Sequence, residues 1–374
     1  MLLTASWHML SFCHCNTILT DFFTTVTIFL LSFFRCCILF VIVVQLEKYF
    51  FFLSFINRLM IFLPFIFPAQ SIPDPIVLTP ADNRGPNPDK IQDFWLNLGR
   101  SFRFDPARDN HYHLFTRDNP TTSQPLVQGL TNLLSQSNYD GGKQTTIVIH
   151  GMAGSPDDHF NQVVIPAILQ ADDRNVITVD WSRGANPSPQ VIQQAIDSAR
   201  FVAGFINWLM SATGQNSNAF TIVGFSLGGL KARLVARHVQ GQVSYMLGLD
   251  PLHQPSMPDT IRPDDAQYTE TIRTAVGGMG DQPIAHADFY VNGGDNNPGC
   301  GTDFGCNHAR AYLFYAESLT RGGFTGRQCP SLQNALTGNC FMPNTLRMGG
   351  LSPKTGARGL FYLATNANSP FSRG

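Results

Sequence analysis

Charge is scarce in this chain. Asp, Glu, Lys and Arg make up 14 % of its 374 residues, and the formal net charge is −1. Without a basic field there is nothing for a phosphate backbone to condense on, which sets nucleic-acid binding aside. Usable N-glycosylation sequons are missing too, because Asn119 and Asn186, each two residues before a Thr or Ser, are followed by Pro. Neither an internal repeat nor a low-complexity tract is present. Cysteine is absent between Cys37 and Cys300, and the eight cysteines fall into two groups of four. Cys13, Cys15, Cys36 and Cys37 lie in an apolar N-terminus, while Cys300, Cys306, Cys329 and Cys340 form two close pairs near the C-terminus. No His or Cys spacing around them suggests zinc. Local disulfides Cys300–Cys306 and Cys329–Cys340 are the simpler reading, and they imply an oxidising compartment.

The shortage of charge is most extreme in residues 1–70, which hold 14 of the 30 Phe and five charged residues: Asp21, Arg35, Glu47, Lys48 and Arg58. Val26–Val44 and Tyr49–Phe67 are each long enough to cross a bilayer. Arg35 interrupts the first and Asn57-Arg58 the second, at a cost of a few kcal/mol on insertion scales. Three readings compete: a membrane hairpin, a long signal anchor, or a gene model extended upstream of a true start at Met60. From Met60, Ile61–Phe67 makes a short apolar core, and Pro68-Ala69-Gln70-Ser71 supplies small residues near a cleavage point. Secretion after removal of this region is the favoured expectation, and a membrane anchor the alternative.

Residues 71–374 read as one domain. Ile72–Pro88 is rich in Pro, Asn and Asp and reads as an extended arm. His111–Arg117 reads as a strand, followed by the turn Asp118-Asn119-Pro120. Runs at Thr145–His150, Val176–Trp181, Phe220–Phe225 and Val243–Leu249 read as buried strands. Helical stretches lie between them at Asp158–Gln170, Pro189–Met210 and Leu227–His238. This alternation predicts a parallel sheet flanked by helices, with ligands outside the carboxyl ends of its strands.

Those strand ends carry chemistry. Gly224-Phe225-Ser226-Leu227-Gly228 is G-x-S-x-G at a strand-to-helix junction, where glycines two residues either side let a serine turn fold back tightly. Its hydroxyl needs a base oriented by a carboxylate. The next strand ends in Asp250-Pro251, which presents a carboxylate to the same edge. Beyond it stand His238, His253, His286 and His308. His308, after Cys306-Asn307 and before an apparent helix Ala309–Ser318, is the expected base, with His286 its rival; His253 is too near Asp250 to turn back onto it. The oxyanion would be received by the N–H of Leu227, at a helix N-terminus, and that of Met152, in the loop after the first buried strand.

The motifs together resemble the pancreatic-lipase family of α/β-hydrolases, in its insect neutral-lipase and phospholipase A1 branch. The matching stretches are Ile149-His150-Gly151, Val179-Asp180-Trp181-Ser182-Arg183-Gly184-Ala185, the serine turn and Gly248-Leu249-Asp250-Pro251. They continue with His286-Ala287-Asp288-Phe289-Tyr290-Val291-Asn292-Gly293-Gly294, Pro298-Gly299-Cys300 and Cys306-Asn307-His308-Ala309-Arg310-Ala311. The resemblance runs from residue 72 to the end. It implies an α/β-hydrolase fold, Ser226 as nucleophile, Asp250 as acid, His308 as base and an oxyanion hole at Met152 and Leu227.

There are departures. Phe225 and Leu230 stand where members usually carry histidines, and Arg273 replaces another. The family's calcium loop is half kept: Asp264 and Asp265 match two carboxylate ligands, while Arg262 stands in place of a smaller residue. A structural calcium there is the only cofactor the resemblance allows, and a solvated acidic turn is the alternative. Gly301-Thr302-Asp303-Phe304-Gly305 is too short for the long lid of the large lipases, so little interfacial activation is expected. No room remains after Leu360-Phe361-Tyr362-Leu363 for a C-terminal β-sandwich domain. The expected function is hydrolysis of lipid acyl esters, of triacylglycerol or of phospholipid at the sn-1 position, at a lipid–water interface. The competing readings are a non-catalytic lipid carrier like insect yolk proteins and a membrane-anchored lipase.

Overall fold

The computed structural model describes residues 103–253 and 261–374, together with the backbone of two strands near the N-terminus. The chain divides into two compact units, Met1–Gly85 and Pro86–Gly374. In the first, β1 (Val26–Phe33) pairs antiparallel with β2 (Cys37–Val44), so the first of the two apolar runs is extended. Tyr49–Phe67, the start at Met60 and the arm Ile72–Pro88 lie outside the described residues.

The second unit is built on an 11-stranded sheet. Its strands in chain order are β3 (His111–Phe115), β4 (Gln124–Leu126), β5 (Thr145–Ile149), β6 (Asn175–Asp180), β7 (Phe220–Phe225) and β8 (Tyr245–Leu249). They continue with β9 (Tyr268–Arg273), β10 (Ala287–Val291), β11 (Thr325–Cys329), β12 (Thr345–Arg347) and β13 (Gly359–Leu363). The spatial order is β12-β11-β13-β10-β9-β8-β7-β5-β6-β3-β4. From β6 to β13 every neighbouring pair is parallel, and antiparallel strands close both edges. Four long helices flank the sheet: α1 (His159–Ala171), α2 (Val191–Thr213), α3 (Leu227–His238) and α4 (Phe304–Thr320). This is the α/β-hydrolase arrangement, with the nucleophile turn between β7 and α3.

Alternation along each strand explains why the central runs are apolar throughout. Ile147, Ile149, Ile177, Val179 and Ile222 join the core beneath α2 and α3. Val148, Val176, Val223, Leu247 and Leu249 face the other way, into the core with α1 and α4. Each such side chain contributes about 1.5–3 kcal/mol on full burial, so neither face can be stripped of its helices. In α2 the buried Ala195, Ala199, Val202, Ala203, Ile206 and Leu209 recur every three or four residues, and Gly214 ends the helix at φ +76°.

Helix α4 begins five residues earlier than the pattern suggests. Asp303 caps it by accepting from Cys306 N at 2.9 Å, and the first turn runs through Phe304-Gly305-Cys306-Asn307, poor helix formers that propensity alone rejects. His308 therefore lies inside the helix. The disulfide Cys300–Cys306 ties the preceding loop to that first turn, and Cys329–Cys340 closes the second expected pair. Strand β9 also escapes the hydrophobic pattern, because Thr269, Glu270, Thr271 and Arg273 are all buried polar residues.

Candidate active site

Ser226 joins β7 to α3 at φ +59° and ψ −125°, a conformation that non-glycine residues seldom adopt and that tight surroundings must hold. Backbone crowding supplies that hold. A Cβ on Gly224 would lie 2.2 Å from the Gly228 carbonyl oxygen, and one on Gly228 would lie 2.3 Å from that of Ile149. The Ser226 N–H donates to Leu249 O at 3.0 Å, and its carbonyl accepts from Gly229 N and Leu252 N at 2.9 and 3.1 Å. The serine turn is thus fastened to the carboxyl end of the neighbouring strand.

That strand delivers Asp250, whose carboxylate is fully buried. One oxygen accepts from the backbone N–H groups of Thr274 and Ala275 at 3.0 and 3.2 Å. The other lies 2.6 Å from Nδ1 of His308. A neutral imidazole with its proton on Nδ1 donates this bond and leaves Nε2 free to accept a proton. The His308 ring packs against two aromatic rings, Phe225 with centroids 4.4 Å away and Phe304 at 5.3 Å. Phe225 is held in turn by Phe160 at 5.4 Å and by Tyr312 edge-on at 5.1 Å. The Ser226 hydroxyl itself makes no hydrogen bond among the described residues.

Gly151 crosses directly over the serine: a Cβ there would come 2.8 Å from the Ser226 Cβ and 3.3 Å from its Oγ. The following Met152 N–H and the Leu227 N–H donate to no acceptor among the described residues, so both are available to an incoming oxygen. Before this loop sits His150, fully buried and stacked on Trp181. Trp181 N donates to its Nε2 at 3.4 Å, which puts the ring proton on Nδ1, facing Gly151 O at 3.0 Å. Burial, opposed by the Gly151 carbonyl, lowers the His150 pKa to about 4.

The other sequence candidates separate cleanly. His286 bonds Thr269 through its Nδ1, where β10 begins, at the end of the strands away from Ser226. His253 is buried, with its N–H on Met279 O. Leu230 lies in the core under α3. Arg273 is buried and ties the Gly280 and Gln282 carbonyls at 2.8 Å each. These two departures are therefore packing and loop-fastening changes, whereas Phe225 touches the imidazole. The pattern did not foretell the ring of Phe304 stacked on the imidazole as well.

The acidic turn does not fit a calcium ion. The buried Asp265 carboxylate is taken up by Arg237 at 2.5 and 2.9 Å, by Arg233 at 3.4 Å and by the Arg262 N–H at 2.7 Å. Guanidinium groups occupy the directions a divalent cation would need. Among the described residues no cluster of three or more His, Cys, Asp or Glu could hold a metal.

Residues 100–371 match the Lipase family model. The chain belongs to the lipase family. It is 30 % identical over 303 residues to pancreatic triacylglycerol lipase of Oryctolagus cuniculus, covering 71 % of this chain and 65 % of that protein. With pancreatic lipase-related protein 2 of Cavia porcellus it shares 29 % identity over 300 residues, covering 73 % and 68 %. The chain thus spans about two-thirds of the length of these relatives. Among solved structures, Aspergillus fumigatus lipase B aligns with 37 % of this chain and 39 % of its own, at 18 % identity and a TM-score of 0.27. Among the described residues of the chain, no helix is long and apolar enough to cross a membrane.

Proposed function

We propose that this lipase-family protein is a secreted serine hydrolase that cleaves acyl esters of lipids. The observation that carries the reading is the 2.6 Å bond between His308 Nδ1 and a buried Asp250, one strand away from a serine held on a strained turn. Ser226 Oγ attacks the ester carbonyl as His308 Nε2 takes its proton, and Asp250 holds the ring and offsets the charge of the imidazolium. The hydroxyl–imidazole bond closes when substrate docks, as is common for sites that are loose when empty. Met152 and Leu227 N–H receive the oxyanion, with the α3 dipole behind the second donor. His308 then protonates the leaving alcohol. Water attacks the acyl-enzyme by the same route in reverse and releases the fatty acid.

An apolar substrate is favoured by the rim. Met152, in the loop that crosses the serine, is 50 % exposed, and Phe304, packed on the His308 ring, is 49 % exposed; both are large apolar groups. The five residues between Cys300 and Cys306 carry no long lid, which suits activity without strong interfacial activation. The two disulfides suit an oxidising, extracellular setting.

The test is hydrolysis by the purified full-length protein of triolein, an sn-1 labelled phospholipid and p-nitrophenyl butyrate. Turnover on at least one lipid ester is expected, with Ser226→Ala losing about 10⁴–10⁶-fold in kcat. No turnover on any ester, with tight retention of an apolar ligand, would turn the reading into that of a carrier. Fluorophosphonate labelling that persists in Ser226→Ala would mean that another residue is the nucleophile.

A further inference from the structure

The acid and the base come from segments 58 residues apart. Their single direct bond cannot by itself set the position of two chain segments. Behind it lies a pair of buried amides. Asn307, next to His308, accepts through Oδ1 from both the backbone N–H and the Nδ2 of Asn297, at 2.7 and 2.9 Å. Its own Nδ2 donates to Gly301 O and Asp303 O, at 2.8 and 2.9 Å, inside the disulfide loop. Asn297 uses its second Nδ2 hydrogen on Thr274 O at 2.8 Å, and its Oδ1 accepts from Asn292 at 2.8 Å. Thr274 is also the residue whose N–H holds Asp250 at 3.0 Å.

The connections form a closed circuit: His308 to Asp250, Asp250 to Thr274, Thr274 to Asn297, Asn297 to Asn307, and Asn307 back to His308 through the chain. Both amides are buried, at 1 % and 3 % exposure, and every donor and acceptor they carry is used. A fully satisfied buried network tolerates one geometry, because any slippage leaves an amide unpaired at a cost of about 1–3 kcal/mol. We propose that Asn297 and Asn307 are positioning residues for the reaction, a clamp that sets the register of the His308 helix against the loop holding Asp250. The inference rests on the reading of Ser226, Asp250 and His308 as a triad. It assigns a role to two residues that touch no substrate.

A second buried amide provides the control. Asn175 bonds Asp140 O and Thr145 Oγ1 through Nδ2, at 2.8 and 3.2 Å, and accepts from Asp140 N at 3.0 Å. It lies at the start of β6, at the opposite end of the strands from Ser226. The experiment compares full-length Asn307→Ala, Asn297→Asp and Asn175→Ala for unfolding temperature, p-nitrophenyl butyrate kinetics and the far-downfield proton resonance of the imidazole N–H bonded to Asp250. All three are expected to lower the unfolding temperature. The two clamp variants are expected to lose about 100-fold in kcat, with KM within about twofold, as misplacement by about 1 Å does elsewhere. The downfield resonance should broaden or vanish in both clamp variants and persist in Asn175→Ala. Folded clamp variants that keep kcat within threefold and retain the resonance would overturn the proposal. If Asn307→Ala does not fold, Asn297→Asp, which keeps the side-chain shape but exchanges the Nδ2 donors for an acceptor oxygen facing Thr274 O and Asn307 Oδ1, decides the question alone. Should the parent hydrolyse no ester, the lipase reading fails, and the resonance still reports whether the clamp sets the His308–Asp250 bond.

Discussion

Two buried aspartates lie 15 residues apart and are treated in opposite ways. Asp250 meets two backbone N–H groups and an imidazole, none of which carries a permanent charge. Asp265 meets a backbone N–H and two guanidinium groups, whose charge is permanent. The first carboxylate is aimed at a ring that can accept a proton. The second is neutralised for good. A buried acid held by dipoles can support charge that develops during a reaction, whereas one held by arginines can only hold structure together.

The largest effect expected from breaking this contrast is at Asp250. Asp250→Asn should keep the fold and reduce kcat by about 10⁴-fold, because an amide stabilises the wrong imidazole tautomer; steady-state kinetics on a soluble ester reads it. Asp265→Asn should do the reverse, costing about 3–5 kcal/mol of unfolding free energy by removing a buried carboxylate that faces two guanidinium groups. Its kcat at a temperature where it is folded should match the parent, and a denaturant titration supplies the free energy.

His150 tests a third kind of buried group, one kept neutral. Its ring titrates at about 4 in the fold and near 6.5 when unfolded. Between those values the unfolded chain takes up a proton that the folded protein refuses, so stability is full above pH 6.5 and falls as pH drops towards 4. The loss is on the order of 3 kcal/mol. Denaturant midpoints across that range should show it, and a folded His150→Asn variant should flatten the slope. Arg237→Ala should be milder, about 1 kcal/mol, since the Arg237 side chain is one-third exposed and Arg233 still faces Asp265. Smallest of all is the response to metal. Chelator or added calcium should leave the unfolding temperature within about 1 °C, because no ligand set competes with the arginines; a calcium-dependent rise would show that the carboxylate exchanges partners.

The contrast also marks what could be read without coordinates. Ser226, Asp250 and His308 follow from strand ends and turn chemistry, since each is announced by a local signal: glycines around the serine, Pro251 after the aspartate, a cysteine before the histidine. The central strands follow from apolar runs buried on both faces. Strand β9 did not, because its buried residues satisfy one another as polar partners, with Thr271 Oγ1 on Asp288 and Tyr268 OH on Glu270. The start of α4 was missed because one capping side chain outweighs four weak helix formers. Arg233 and Arg237 read as ordinary residues of a helix, and only their approach to Asp265 shows why a calcium ligand set has no place there. Phe304, in the loop taken to be only a truncated lid, lies on the imidazole.

The contact between Gly228 and the Ile149 carbonyl has a consequence for how such a site can diversify. Serine turn and oxyanion loop are set against each other by main chain touching main chain, with no side chain between them. Substitutions at Phe225, Met152 or Phe304 can therefore alter the walls around the serine without moving its frame. In a saturation library selected only for folded expression, the codons for Gly224 and Gly228 should stay closed while those three positions drift. Substrate preference is then free to evolve at the rim, and the geometry of attack is inherited unchanged.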